Sequence, residues 1–260
     1  MNELSENLIL RLITVAKSEF NILYDRIAIA VKTREKITLL YTNAHIITII
    51  KSNTALAEAL NSADHIYSDG FGIWLSAKLF RLKEFHRFNW TDHAVLFLSL
   101  AAKHGWKIFF IGSTNQVLLR AKNILLEKYP EIKIVGFLDG YDESSKSKAI
   151  DIINNSFADI LWVGMGSPKQ EIWINYNREK LNIPVIQAVG DVFTFLAGEK
   201  IRGPILFQKL GIEWFFRLLS NPKRFWKRYL IGIPLFLFRI LKIKFHLIID
   251  KKSIHSYENH

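Results

Sequence analysis

The sequence predicts an α/β protein: a mostly parallel sheet with flanking helices, followed by a basic, aromatic-rich C-terminal segment. Two observations carry this. Short apolar, β-rich runs alternate with stretches of helical spacing over the first 198 residues, the pattern of strands joined by covering helices. After Gly198 that alternation stops, and aromatic and aliphatic residues interleave with Lys and Arg.

The expected strands are residues 37–41, 65–68, 107–111, 133–138, 160–163 and 185–189, and the expected helices are 71–82, 91–104, 115–129, 144–157 and 169–181. Thr114 is placed to cap the helix after the third strand, and Tyr129-Pro130 to end it. Pro168 sits at a favoured helix start. The composition change puts a boundary at 198–204, dividing the chain into a body, 1–198, and a tail, 199–260. No internal repeat is visible.

Charge sharpens the division. The chain carries a formal net charge of +11. Residues 200–252 hold 13 Lys and Arg against only Glu213 and Asp250, whereas residues 1–199 are nearly neutral. A neutral body with a cationic end calls for an anionic partner at that end. The absence of cysteine excludes disulfides, thiol nucleophiles and thiolate metal sites. No secretory signal is expected from residues 1–12. The longest apolar stretch of the tail, 229–238, is stopped by Arg239 and falls short of the ~20 residues of a spanning helix.

Four strings could carry chemistry. Asp69, in Ser68-Asp69-Gly70, follows the second strand, where open parallel sheets bind ligands, and a carboxylate there can act as a base; it can equally be a helix cap. Thr42 and Asn43 follow the first strand and can bond a sugar or ribose, or cap the next helix. Gly112-Ser113-Thr114 opens a helix whose free N–H groups suit a diphosphate, but it lacks both the three-glycine dinucleotide fingerprint and the Gly-Lys-Ser/Thr ending of a P-loop. The sharpest string is Gly164-Met165-Gly166-Ser167-Pro168-Lys169-Gln170-Glu171. Its glycines permit close backbone approach, and Gln170 offers both donor and acceptor to a base or sugar. The histidines make no ligand pattern, and Asp139 and Asp142 flank a turn rather than forming an Asp-x-Asp pair. No metal and no cofactor are therefore expected.

Taken in order, these strings resemble the WecG/TagA/CpsF family, glycosyltransferase family 26. The resemblance runs from about residue 37 to 229. It includes Thr42-Asn43, Asp69-Gly70, Ile111-Gly112, Asp139-Gly140-Tyr141, the Gly164 to Glu171 string, Phe195-Leu196-Ala197-Gly198 and Glu213-Trp214 with Arg217. It implies a Rossmann-like fold with a helical, membrane-binding appendage. It also implies inverting transfer of a hexose-type sugar (N-acetylmannosamine, its uronic acid, or glucose) from a UDP-sugar to an undecaprenyl-diphosphate-linked saccharide, in the synthesis of a cell-surface polysaccharide. By position, Asp69 would be the base, Asn43 and Gln170 would position substrate, and Arg217, Arg224 and Arg228 would meet diphosphate or lipid headgroups. Three places depart from the family pattern: Tyr41 stands where Thr is usual, Asn89-Trp90-Thr91-Asp92 replaces a Gly-Thr/Ser-Asp string, and Gly190-Asp191-Val192-Phe193-Thr194 replaces Gly-Gly-x-Phe-Asp.

A substrate site is thus expected from Thr42, Asn43, Gly112, Ser113, Gly164, Gly166, Pro168, Gln170, Arg217, Arg224 and Arg228 around Asp69. Membrane contact is expected from Trp214, Phe215, Phe225 and Trp226, with Lys223 and Lys227 on anionic headgroups. This makes the protein peripheral on the cytoplasmic face of the bacterial inner membrane. Its partners are a UDP-sugar and a polyprenyl-diphosphate saccharide, and a homo-oligomer is compatible with the sequence. The competing class is a single-stranded nucleic-acid binder using the same basic aromatic tail; the apolar run at 230–238 and the neutral body argue against it. A non-catalytic membrane adaptor is a third reading, against which Asp69 and Gln170 speak.

Overall fold

The computed structural model describes residues 2–14, 19–82, 85–142, 148–200, 207 and 213–249. Two helices come first, α1 (Asn2–Thr14) and α2 (Phe20–Thr33). Then follow β1 (Ile37–Thr42), α3 (Ala44–Ile49), α4 (Thr54–Asn61), β2 (His65–Ser68), α5 (Phe71–Leu79), α6 (Trp90–His104), β3 (Lys107–Gly112), α7 (Asn115–Lys128) and β4 (Lys133–Leu138). The body continues through α8 (Ala149–Asn155), β5 (Ile160–Gly164), α9 (Lys169–Asn177), β6 (Val185–Ala188) and α10 (Val192–Leu196). The tail contains α11 (Glu213–Ser220), α12 (Pro222–Trp226), a π-helical turn at Lys227–Ile231 and α13 (Gly232–Ile249).

All six strands are parallel, in the order β2-β1-β6-β5-β3-β4. The central strands are buried along their whole length, as expected where helices cover both faces. Two polar contacts hold the core of the sheet: the Trp162 indole donates to Gln187 Oε1 at 2.9 Å, and the Tyr67 hydroxyl donates to the Ala188 carbonyl at 2.5 Å. From β3 the chain crosses to β4 on one side, and from β5 to β6 on the other. The carboxyl ends of these neighbours therefore open a crevice where the crossovers diverge.

The strand expectations hold to within a residue or so at each end. Thr114 caps α7 by accepting the Val117 N–H. The helix expected at 144–157 is seen over Ala149–Asn155, with 143–147 outside the described residues. The boundary expected at 198–204 falls largely outside them too. Helices α1 and α2 were not anticipated, whereas the helical tail was. Arg239 lies within α13. Its guanidinium donates to the Ile47 carbonyl at 2.6 Å and also to the Thr48 carbonyl, at the C-terminal end of α3. One stripe of α13, Phe236, Ile240 and Ile243, is buried in the main core. Glu6 of α1 bonds Lys242 at 3.1 Å and His246 at 2.9 Å on the same helix.

Candidate active site

Asp69 follows β2 directly. Its backbone N–H donates to Thr42 O at the end of β1, 2.8 Å away, and the next amide, of Gly70, donates to Phe88 O at 2.9 Å. These bonds aim the Asp69 side chain into a cavity of about 280 Å³. Its carboxylate is bonded by the backbone of Trp90, the first residue of α6, and a helix N-terminus favours an anion there. Burial nevertheless pushes the Asp69 carboxyl up, against the opposing pull of Arg217, Lys200 and Arg228. A carboxylate with raised proton affinity, open to a cavity, has the character of a general base.

The polar end of the cavity is formed by Asn43, Asp69, Arg87, Asn89, Arg217 and Arg228. Asn43 serves in two ways: its Oδ1 accepts the Ile46 N–H at 3.0 Å, capping α3, and the residue faces the cavity. Arg217 comes from α11 and Arg228 from the π-helical turn. The tail thus completes a site begun at the strand ends of the body. His45 also lines it, and burial, with Arg228 nearby, pushes this imidazole down to about 4, so it is neutral at physiological pH. Arg87 and His45 were not picked out from sequence; each stands alone in an unremarkable string, and only the packing of α3 and of the approach to α6 against the tail brings them here.

The glycine strings lie at the ends of β3 and β5, in the crevice rather than on the cavity wall. Gly112 and Gly164 are register partners. A Cβ on Gly112 would sit 2.4 Å from the Gly164 backbone, and Gly112 has φ 128°, so no larger residue fits. Ser113 accepts the Gly140 N–H through its carbonyl at 3.0 Å. Pro168 precedes α9 as expected. Tyr41 links the two regions: its hydroxyl lies 3.1 Å from Ser167 Oγ, and its proton affinity is raised by burial and by both Glu171 and Asp69.

Several expected contacts are redirected. Gln170 is 0 % exposed. Its Oε1 accepts the N–H groups of Gly166 and Gly190, each at 3.2 Å, and its Nε2 donates to Glu171 at 2.8 Å. It braces the loop instead of facing a ligand. Thr42 is fully buried, and its hydroxyl has no partner among the described residues; strand alternation turns it into the core, away from the cavity. Trp214 lines the cavity and packs on Tyr229 with ring centroids 5.8 Å apart, and Phe225 stacks on Tyr229 at 5.7 Å. Phe215, Trp226, Lys223 and Lys227 are exposed. The side chain of Arg224 lies outside the described residues.

The model of the glycosyl transferase WecG/TagA/CpsF family matches residues 9–248. The chain belongs to that family. The glycosyltransferase is 32 % identical over 205 residues, 78 % of both chains, to the N-acetylglucosaminyldiphosphoundecaprenol N-acetyl-beta-D-mannosaminyltransferase of Staphylococcus aureus strain MW2. It is 33 % identical over the same shares to the protein of that name from strain MRSA252. The family assignment expected from the ordered motifs is therefore correct, and so is the expectation of a glycosyltransferase. Among the described residues, no helix of this glycosyltransferase is long and apolar enough to cross a membrane.

Proposed function

We propose that this glycosyltransferase moves a hexose-type sugar from a UDP-sugar to a saccharide carried on a polyprenyl diphosphate, with inversion and without a metal. One observation carries the reading: a strand-end carboxylate, Asp69, shares a cavity with Arg217 and Arg228 from the tail. In a single displacement, Asp69 takes the proton of the acceptor hydroxyl as its oxygen attacks the anomeric carbon. The bond from that carbon to the UDP oxygen breaks, and the electron pair leaves with UDP. Preorganised backbone N–H groups stabilise the departing charge, while the guanidinium groups of Arg217 and Arg228 suit the diphosphate of the acceptor. The crevice between β3 and β5, rich in glycine, suits the UDP diphosphate.

The names of the Staphylococcus aureus relatives make UDP-N-acetylmannosamine the first donor to test and a polyprenyl-diphosphate N-acetylglucosamine the first acceptor. The body, 1–198, is read as the catalytic unit and 199–260 as its membrane-binding appendage. Exposed Phe215 and Trp226, with Lys223 and Lys227, support reversible docking to an anionic surface, each cation adding ~1 kcal/mol. The cytoplasmic leaflet is the surface of that charge.

The deciding experiment incubates the purified protein with UDP-sugars and a short-chain lipid-diphosphate acceptor, with and without chelator. Transfer with an inverted anomeric configuration, insensitive to chelator and lost in Asp69→Asn, is expected. Full turnover in Asp69→Asn overturns the assignment of the base.

A further inference from the structure

Part of the wall of the cavity beside Asp69 is apolar: Leu75 of α5 with Ile233, Phe236 and Leu237 of α13. This wall is built by close packing. Gly72 lies where α5 meets α3: a Cβ there would come within 2.8 Å of the Ala44 Cβ and 3.5 Å of the Phe236 ring. The α13 wall is pinned to α3 by Arg239 on the Ile47 and Thr48 carbonyls and by the Thr48 hydroxyl, which donates to Gly232 O at 3.3 Å. It is pinned to α1 by Glu6. The apolar wall therefore exists as a fixed trough.

The trough opens where Leu75 and Leu237 are 36 % and 39 % exposed. From Leu237 the exposed residues Leu241, Phe245 and Ile248 continue along α13, at spacings that keep them on one helical face. One cavity thus combines a carboxylate, two guanidinium groups and an apolar wall that leads onto an apolar strip of α13. A diphosphate ester of a long isoprenoid alcohol matches this combination, with charge at the arginines and hydrocarbon on the apolar wall.

We propose that the trough between α5 and α13 binds the first isoprenoid units of the lipid acceptor. The inference rests on the transferase reading above and gives it a direction. The acceptor lies with its sugar hydroxyl at Asp69, its diphosphate at Arg217 and Arg228, and its chain leaving between Leu75 and Leu237. The lipid is then recognised by the protein itself, and not only by the bilayer in which it is dissolved.

The test uses two acceptors with the same saccharide diphosphate, one an ethyl ester and one a farnesyl ester, below micellar concentration and without detergent or vesicles. Burial of even one isoprene unit favours the longer acceptor by about tenfold or more in kcat/KM. Ile233→Gln and Leu237→Gln each reduce that preference severalfold, while Phe245→Gln, outside the cavity, keeps it. Equal use of both acceptors by the unaltered enzyme overturns the proposal, as does an unchanged preference in both wall variants. Loss of preference in Phe245→Gln also overturns it, in favour of general adsorption. Calorimetric binding of farnesyl diphosphate against ethyl diphosphate separates the two readings. Chain-dependent binding without any sugar transfer sinks the transferase reading and keeps the trough; transfer without chain dependence sinks the trough alone.

Discussion

Gln170 and Gly190 lie twenty residues apart in sequence, yet the Gln170 side-chain oxygen accepts the Gly190 N–H at 3.2 Å. The same oxygen accepts the Gly166 N–H, so one buried amide ties the loop after β5 to the loop after β6. Gln170→Met keeps the volume and removes the acceptor, leaving two backbone donors without it. Each such loss costs ~1–3 kcal/mol. Urea denaturation is expected to show that destabilisation, and KM for the nucleotide sugar is expected to rise because the glycine loop is no longer held. A stable variant with unchanged KM refutes the bracing role.

Asp69 is expected to trade stability for function. Burial raises its proton affinity above that of the unfolded chain. The folded state is therefore penalised above that raised value, where the carboxylate is ionised, and the penalty is relieved as pH falls through it. Asp69→Asn removes the penalty, so its Tm at pH 7 is expected to rise while turnover falls ~10²–10⁴-fold, the typical contribution of a positioned base. A loss of both stability and turnover would point to a structural carboxylate.

Arg217 holds the Asp69 proton affinity down against burial. Replacing it with Gln takes that charge away. The acid limb of the kcat/KM profile is expected to move to higher pH in Arg217→Gln, together with a higher KM for the lipid-diphosphate acceptor. An acid limb left in place would separate Arg217 electrically from the base.

The Glu6 clasp sets a pH dependence for the tail. Burial pushes the Glu6 carboxyl up, but the hydrogen bonds and charges of His246 and Lys242 outweigh it and leave it below its ordinary value. A lowered carboxylate stabilises the fold above its unfolded value, and that contribution is lost as pH falls through the lowered one. Amide hydrogen exchange in α13 is expected to accelerate on acidification, and Glu6→Gln is expected to show faster exchange already at pH 7. Equal protection in both proteins at pH 7 would deny the clasp its role.

Membrane docking is open to a direct measurement. Phe215→Ser with Trp226→Ser, and separately Lys223→Gln with Lys227→Gln, are expected to reduce flotation with anionic vesicles. The lysine pair is expected to lose ~2 kcal/mol of binding at low salt and less as salt screens it. Flotation unchanged in both pairs would place the contact elsewhere.

Much of the body was legible in the chain because its strands are short, apolar and punctuated by Gly, Pro and capping residues. Six runs were recognised and six strands pair in parallel. Asp69 and Asn43 were legible for the same reason, since a polar residue directly after a buried strand stands at the sheet's carboxyl edge. Gln170 misled because a residue able to bond a ligand is equally able to bond two backbone amides, and only packing chooses. Arg239 was legible only in part. It ends the apolar run, as its charge suggests, but only the fold shows that the Ile47 and Thr48 carbonyls of α3 accept its protons.

Residue order by itself determined the alternation of strand and helix, the position of the carboxylate and the concentration of positive charge at one end, because these are local properties of neighbouring side chains. Tertiary structure alone decided that Arg217 and Arg228 share a cavity with Asp69, that Gln170 faces inward, and that α13 lies on α3 with an apolar trough beside it. Those relationships join residues more than a hundred positions apart or turn on which face is buried. They are set by how the tail helix packs across the body, which no local pattern encodes.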